Sequence, residues 1–207
     1  MSSMLYTIGH SAHTLEAFLE LLQRHAIGAI ADVRSQPVSP RHPQFNREPL
    51  QAALRKAGLQ YVFLGRECGA RSEDPACYEQ GKVQYERLAC TERFRSGVER
   101  ICAGAERYRL ALLCAERDPL SCHRTILVAR ALVAQGLEVQ HILADGNLET
   151  QAQAIERLRA QLGLQQPDLF CDEADLEALA YRQQGARIAY TLPSATDGQT
   201  TIAEPRR

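Results

Sequence analysis

The chain has 207 residues, 24 basic against 25 acidic, a formal net charge of -1, and 45% hydrophobic against 24% charged residues. This suits one domain of ordinary composition with a tail, and excludes both the basic excess of a whole-chain nucleic-acid binder and the acidic excess of a disordered chain. No apolar run reaches the ~18 residues of a membrane span, and the first residues lack the basic-then-apolar pattern of a secretory signal.

The cysteines number seven (Cys68, Cys77, Cys90, Cys102, Cys114, Cys122 and Cys171) and include no CxxC pair. Reduced thiols, a cytoplasmic location and no membrane partner are expected.

Leu5–Ile8 is a short β-favouring apolar run ending at Gly9, His10 and Ser11. Leu15, Phe18, Leu19 and Leu22 recur at helical spacing and predict a helix over 14–25. Ile27–Val33 reads as a second strand, ending at Asp32, Val33 and Arg34. Pro37, Pro40 and Pro43 mark a loop over 35–47 that is too long for a mere connector. Asn46 is placed to cap a helix to Ala57, with Gly58 as its stop. Tyr61–Leu64 is a third strand, 65–81 is irregular, and 82–106 reads as two helical pieces meeting near Thr91.

Leu110–Cys114 is apolar throughout and predicts a central strand buried on both faces. Ser121 is placed to cap a helix over 122–135, closed by Gly136. Val139–Leu143 is a fifth strand ending at Asp145 and Gly146, and a last helix covers 148–162. The alternation predicts an α/β fold, a mostly parallel sheet of about five strands flanked by helices. Beyond Gly163 the pattern weakens. The expected division is a domain over 1–163 and a C-terminal extension over 164–207, with a short helix at Leu176–Tyr181 and a disordered stretch over 191–207.

In an open parallel sheet, ligands sit beyond the carboxyl ends of the strands. Four such ends here are polar and should share one edge: Gly9–Ser11, Asp32–Arg34, Cys114–Glu116 and Asp145–Gly146. The segment Cys114–Arg124 is the richest of them. Asp118 and Pro119 turn the chain, and a helix start then brings Cys122, His123 and Arg124 to free backbone N–H groups and a positive dipole end. Such a field lowers a thiol's pKa, His123 can serve as base or metal ligand, and Arg124 offers a forked donor for phosphate or carboxylate.

Each of these residues also has a plainer reading. Cys114 and Cys122 can be small buried residues. His10 can make a turn hydrogen bond, Asp32 and Arg34 a local ion pair, and Glu116 can accept from loop amides. A second feature is the segment from Arg34 to Arg71, with Arg41, Arg47, Arg55, Lys56 and Arg66 between them and His42, Phe45 and Tyr61 interleaved. It fits either a nucleic-acid contact or a solvated face. His10, Cys114, Cys122 and His123 are acceptable metal-ligand types, but neighbours on a helix diverge by about 100°, so Cys122 and His123 should not share an ion and no metal is expected. No cofactor is named by any motif.

These residues resemble a known pattern. Thr7–Ser11, then Asp32–Arg34 with the Pro and Ser residues and Phe45 after it, then Cys114–Glu116 with Pro119 and Cys122–Arg124, then His141 and Ile142 with Gly146, are similar to the blocks of the domain of unknown function 488 family (DUF488), in the same order, over residues 4–147. The resemblance implies an α/β fold and a shared polar site containing His10, Asp32, Arg34, Cys114, Glu116, Cys122, His123 and Arg124. It implies no particular reaction.

Two functions fit these residues. The first is an enzyme acting on a small anionic substrate, phosphorylated or nucleotide-like. Cys122 would be its nucleophile, with His123 or His10 as base, Glu116 as proton acceptor or orienting group, and Arg34, Arg124, Asp32, Ser11 and Cys114 shaping the ligand site. The second is a non-catalytic nucleotide- or nucleic-acid-binding module, which requires Arg34, Arg41 and Arg47 to form one exposed patch.

Overall fold

The computed structural model describes residues 4–167 and 172–193. In chain order the elements are β1 Met4–Gly9, α1 Leu15–Arg24, β2 Ala29–Asp32, a 3-10 turn at Pro43–Phe45, α2 Arg47–Lys56 and β3 Gln60–Phe63. There follow the single turn α3 Gly65–Cys68, a 3-10 turn at Pro75–Cys77, β4 Tyr78–Glu79, β5 Lys82–Val83, α4 Tyr85–Ala89, α5 Glu92–Ala105 and β6 Leu110–Cys114. The chain continues through a 3-10 turn at Pro119–Ser121, a π-helical segment Arg124–Ala129 that runs into α6 Arg130–Ala134, β7 Glu138–Ile142, β8 Leu148–Thr150, α7 Gln151–Leu162 and α8 Glu173–Ile188.

The main sheet has the order β3-β2-β6-β1-β7-β8. β1, β2, β3, β6 and β7 are parallel, and β8 lies antiparallel on β7. This is the expected α/β architecture with a sixth strand at the edge. β6 is buried at all five positions, as its unbroken apolar run requires. Tyr6, Ile8, Ile30, Ala111 and Leu113 on one face of the sheet meet Phe18 and Leu22 of α1 and Leu50 and Leu54 of α2. Leu5, Ala29, Ala31, Leu110 and Leu112 on the other face meet Phe94, Val98 and Ile101 of α5 and Leu127 and Leu132 from the π segment and α6. The helix after β1 and the helix after β6 therefore leave the sheet on opposite faces. The two strands are neighbours, so the topological switch point of the sheet lies between their carboxyl ends.

Several caps follow the sequence. Thr14, Thr91 and Thr150 accept the N–H groups of Ala17, Phe94 and Gln153 and start α1, α5 and α7. Gly58 takes a left-handed φ of 77° just after α2. Two expected caps differ. Asn46 precedes α2 but makes no cap bond; its Oδ1 accepts the Ser39 N–H at 2.7 Å and ties down the 35–47 loop instead. Ser121 caps nothing. It ends the 3-10 turn, whose cap is Asp118 accepting from Leu120, and Cys122 is extended (φ -137°, ψ 141°) rather than helical.

The C-terminal extension is longer in structure than its pattern suggested. α8 spans 16 residues, not the six of Leu176–Tyr181, and opens with a capping box between Asp172 and Asp175. Its buried Leu176, Ala180 and Tyr181 lie over the π segment, all six residues of which are buried. Gln184 Nε2 donates to the Leu120 carbonyl at 2.7 Å. The tail beginning at 191 returns to the β4–β5 hairpin, where Thr191 bridges Lys82 and the Leu192 N–H donates to the Gly81 carbonyl. Residues 194–207, where disorder was expected, lie outside the described residues.

Candidate functional site

The polar strand ends do share one edge of the sheet, and two backbone bonds lock the central pair together. The N–H groups of His10 and Ser11 donate to the carbonyls of Cys114 and Ala115, both at 2.9 Å. Gly9 sits so close to the loop after β6 that a Cβ there would lie 1.8 Å from the Glu116 oxygen. The switch point is thus filled by protein. The open space lies to its side, over β6 and β2. It is a pocket of about 340 Å³ lined by Arg34, Ser35, Gln36, Cys114, Glu116, Ser121, Cys122 and His123, with Tyr85, Arg71, Ile188 and Tyr190 closing it.

At its floor are two thiols and an imidazole. His123 Nδ1 is 3.6 Å from Cys114 Sγ and 3.8 Å from Cys122 Sγ. His123 Nε2 donates to the Val33 carbonyl at 3.0 Å, so the ring is held with Nδ1 toward the thiols. Cys122 Sγ also accepts the Arg124 backbone N–H at 3.4 Å, one of the free donors at the helix start. Burial opposes a charge on Cys122, but a hydrogen bond from Cys114 and the positive Arg124 and His123 outweigh it, and its pKa lies well below that of an ordinary thiol. Cys114 moves the other way: burial, then the negative Cys122 beside it, raise its pKa and keep it a thiol donor. For His123, burial lowers the pKa while Cys122 and Glu116 raise it by more.

Glu116 is an exposed residue with a crowded carboxyl. Desolvation first, and the negative Cys122 second, push its pKa up.

Other candidates are displaced from the roles expected of them. Arg124 is fully buried. Its Nη1 donates to the Glu116 carbonyl at 2.8 Å and its Nη2 to that of Arg117 at 3.5 Å, so it braces the loop and charges Cys122's surroundings instead of clamping a ligand. Asp32 is also fully buried. It accepts from Arg34 through Nε at 2.8 Å and Nη2 at 2.6 Å, and from Tyr61 Oη at 2.8 Å. The plain ion-pair reading holds for Asp32, and Arg34 reaches the pocket only as a 5% exposed edge whose Nη1 also donates to Phe45 O. His10 and Ser11 do not line the pocket. His10 stacks on Phe45 at 4.5 Å and donates to the Ser11 carbonyl at 3.0 Å; burial, aided by Arg34 and His42, lowers its pKa to about 4.

The required patch of Arg34, Arg41 and Arg47 does not form, because Arg34 is buried. Arg47 lies over the Phe63 ring at 4.5 Å. Arg71, which was counted only as part of the basic segment, stands at the pocket mouth, donating to Gln36 Oε1 at 2.6 Å and lying over the Tyr190 ring at 4.4 Å. Tyr85 and Tyr190 carried no sequence signal for a site.

Cys122 and His123 also do not diverge, contrary to expectation. Because Cys122 is extended and His123 begins the helix, their side chains converge, and the ligand atoms of Cys114, Cys122 and His123 lie within 4.8 Å of one another. Among the described residues this trio is the donor set that a thiophilic cation would accept. A larger cavity of about 900 Å³ between β7, α7 and α8 contains none of the candidate residues.

A doubly wound, mostly parallel sheet with a thiol–imidazole cluster beyond its central strand defines the class. The family model described as "Domain of unknown function DUF488" matches residues 14–131, more than half of the chain, and the protein belongs to that family. The matched span contains Asp32, Arg34, Cys114, Glu116, Cys122, His123 and Arg124, and ends before β7 and α8. No curated protein and no solved structure matches the chain. No described helix is long and apolar enough to cross a membrane.

Proposed function

We propose that the protein is a thiol-dependent enzyme in which Cys122 is the nucleophile and the substrate is a small anion. The observation that carries this reading is the position of Cys122 Sγ. It receives the Arg124 N–H, faces His123 Nδ1, and opens onto a pocket edged by Arg34 and Arg71. A cysteine that only filled space would resemble Cys68, a thiol whose pKa burial pushes up to about 12. His123 holds or returns the proton at Nδ1, and Glu116, whose carboxyl interacts with both thiols, supplies a second proton site.

Alkylation at pH 6 with peptide mapping tests the nucleophile, with exposed Cys90 as the internal reference. Cys122 should react faster than Cys90. Anion preference is read from the rate with iodoacetate divided by the rate with iodoacetamide, compared with the same ratio for free cysteine. The ratio at Cys122 should exceed that of free cysteine and fall about fivefold in Arg71→Ala, the effect of one partly screened charge pair. A Cys122 that alkylates no faster than Cys90, or a ratio unmoved by Arg71→Ala, would overturn the reading.

A further inference from the structure

The mechanism above uses one thiol, yet the pocket floor holds two. Cys114 is the last residue of β6, and Cys122 is the extended residue before the π segment. Both line the same pocket, both face His123 Nδ1 at 3.6 and 3.8 Å, and their sulfurs lie within 4.8 Å. A disulfide requires the two sulfurs to close from that range to ~2 Å. Cys68 and Cys77, also buried, do not line this pocket.

We propose that Cys114 is the resolving thiol for Cys122, so that the site reduces a disulfide carried by a small anionic molecule. This rests on the nucleophile reading of Cys122 and names its substrate class. The Cys122 thiolate attacks one sulfur of the substrate R–S–S–R′. The S–S bond breaks, and R′S⁻ leaves with the proton from His123 Nδ1. The now neutral His123 takes the proton of Cys114, whose sulfur attacks Cys122 Sγ. The Cys122–S–R bond breaks, RS⁻ leaves with that proton, and a Cys114–Cys122 disulfide remains. Two electrons have passed from the two protein thiols to the substrate, which departs as two thiols. An external dithiol restores the pair by the reverse exchange. Arg71 and the exposed edge of Arg34 at the mouth favour a carboxylate-bearing substrate.

The full chain, reduced and treated with a chelator, is exposed to oxidised glutathione and mapped by mass spectrometry. The expected result is a Cys114–Cys122 linked peptide pair with two glutathiones released per chain. Cys114→Ala should stop at glutathione bound to Cys122, and cystamine, a cationic disulfide, should react more slowly than oxidised glutathione. Wild-type protein that itself stops at glutathionylated Cys122 would remove Cys114 from this role and leave the nucleophile reading standing. Glutathione on Cys90 with none on Cys122 would remove both. A stoichiometric zinc ion bound before chelation, and lost in Cys122→Ser, would overturn the resolving role by making the two thiols ligands.

Discussion

At the scale of single residues, close approach and charge decide the outcome. Gly9 is the sharpest case. Its missing side chain lets β1 press against the Glu116 carbonyl, and a methyl group there would sit 1.8 Å from that oxygen. Gly28, by contrast, has no atom within 4 Å of where its Cβ would go. Gly9→Ala should therefore lower stability by on the order of 3 kcal/mol or more, whereas Gly28→Ala should change it by less than about 1 kcal/mol and raise it if anything. Denaturant unfolding of the two variants measures this. Equal effects would mean that the contact at Gly9 relaxes freely. The same scale separates Arg124 from Arg34. Both were expected to face a ligand, but the two terminal nitrogens of Arg124 are taken by backbone carbonyls, while its buried Nε has no partner among the described residues.

At the scale of elements, one buried histidine joins most of the second face. His141 on β7 accepts from Thr7 Oγ1 of β1 at 2.8 Å and donates through Nε2 to Gln151 Oε1 of α7 at 2.8 Å. Gln151 Nε2 in turn donates to Tyr181 Oη of α8 at 2.9 Å. Burial, then the charge of Arg124, lower the His141 pKa to about 3. A histidine held neutral in the fold contributes stability that is full above its unfolded pKa of 6.5 and is lost as pH falls from there toward 3. The slope in that window should be up to about 1.4 kcal/mol per pH unit. Unfolding midpoints between pH 7 and pH 5 should show it, and His141→Gln should flatten it. A variant with the wild-type slope would assign the acid sensitivity to other groups.

Elements also mark the limit of what the sequence disclosed. The five parallel strands were legible because β6 is an unbroken apolar run and the helices repeat at 3.6 residues. The helix after Ser121 was placed correctly but begun one residue early, because a serine before a charged helix start imitates a cap. That single residue decides whether Cys122 and His123 diverge or converge, and with Cys122 extended they converge. β8 was missed because three residues are too few for a period, and Thr150 ends it while capping α7. α8 was underestimated because its buried residues, Leu176, Ala180, Tyr181 and Gly185, form a sparse stripe that includes a glycine. The π segment held the missing clue. A helix buried all round needs a cover on its outer side, and α8 of the extension supplies one.

For the whole molecule, the site is an assembly of distant pieces. Arg34 follows β2, Arg71 follows α3, Cys114 and Cys122 flank the loop after β6, and Ile188 and Tyr190 come from the extension. This is why the location of the site was readable from strand ends while its rim was not: nothing local marks a residue that a tail brings back. Removing 189–207 should accelerate the reaction of Cys122 with a bulky maleimide several-fold, with little change in unfolding midpoint, whereas removing only 194–207 should leave the rate alone. Equal rates in both truncations would show that Tyr190 does not guard the thiols.

The return of the tail to the hairpin also sets an order in time. The chain emerges from the ribosome with β6, Cys122 and His123 long before Tyr190, so the nucleophile exists before its outer wall is made. A nascent or stalled chain ending before α8 would present an uncovered thiol pair beside a bare apolar π segment. The last described residues to be synthesised are the ones that turn a reactive surface into an enclosed one.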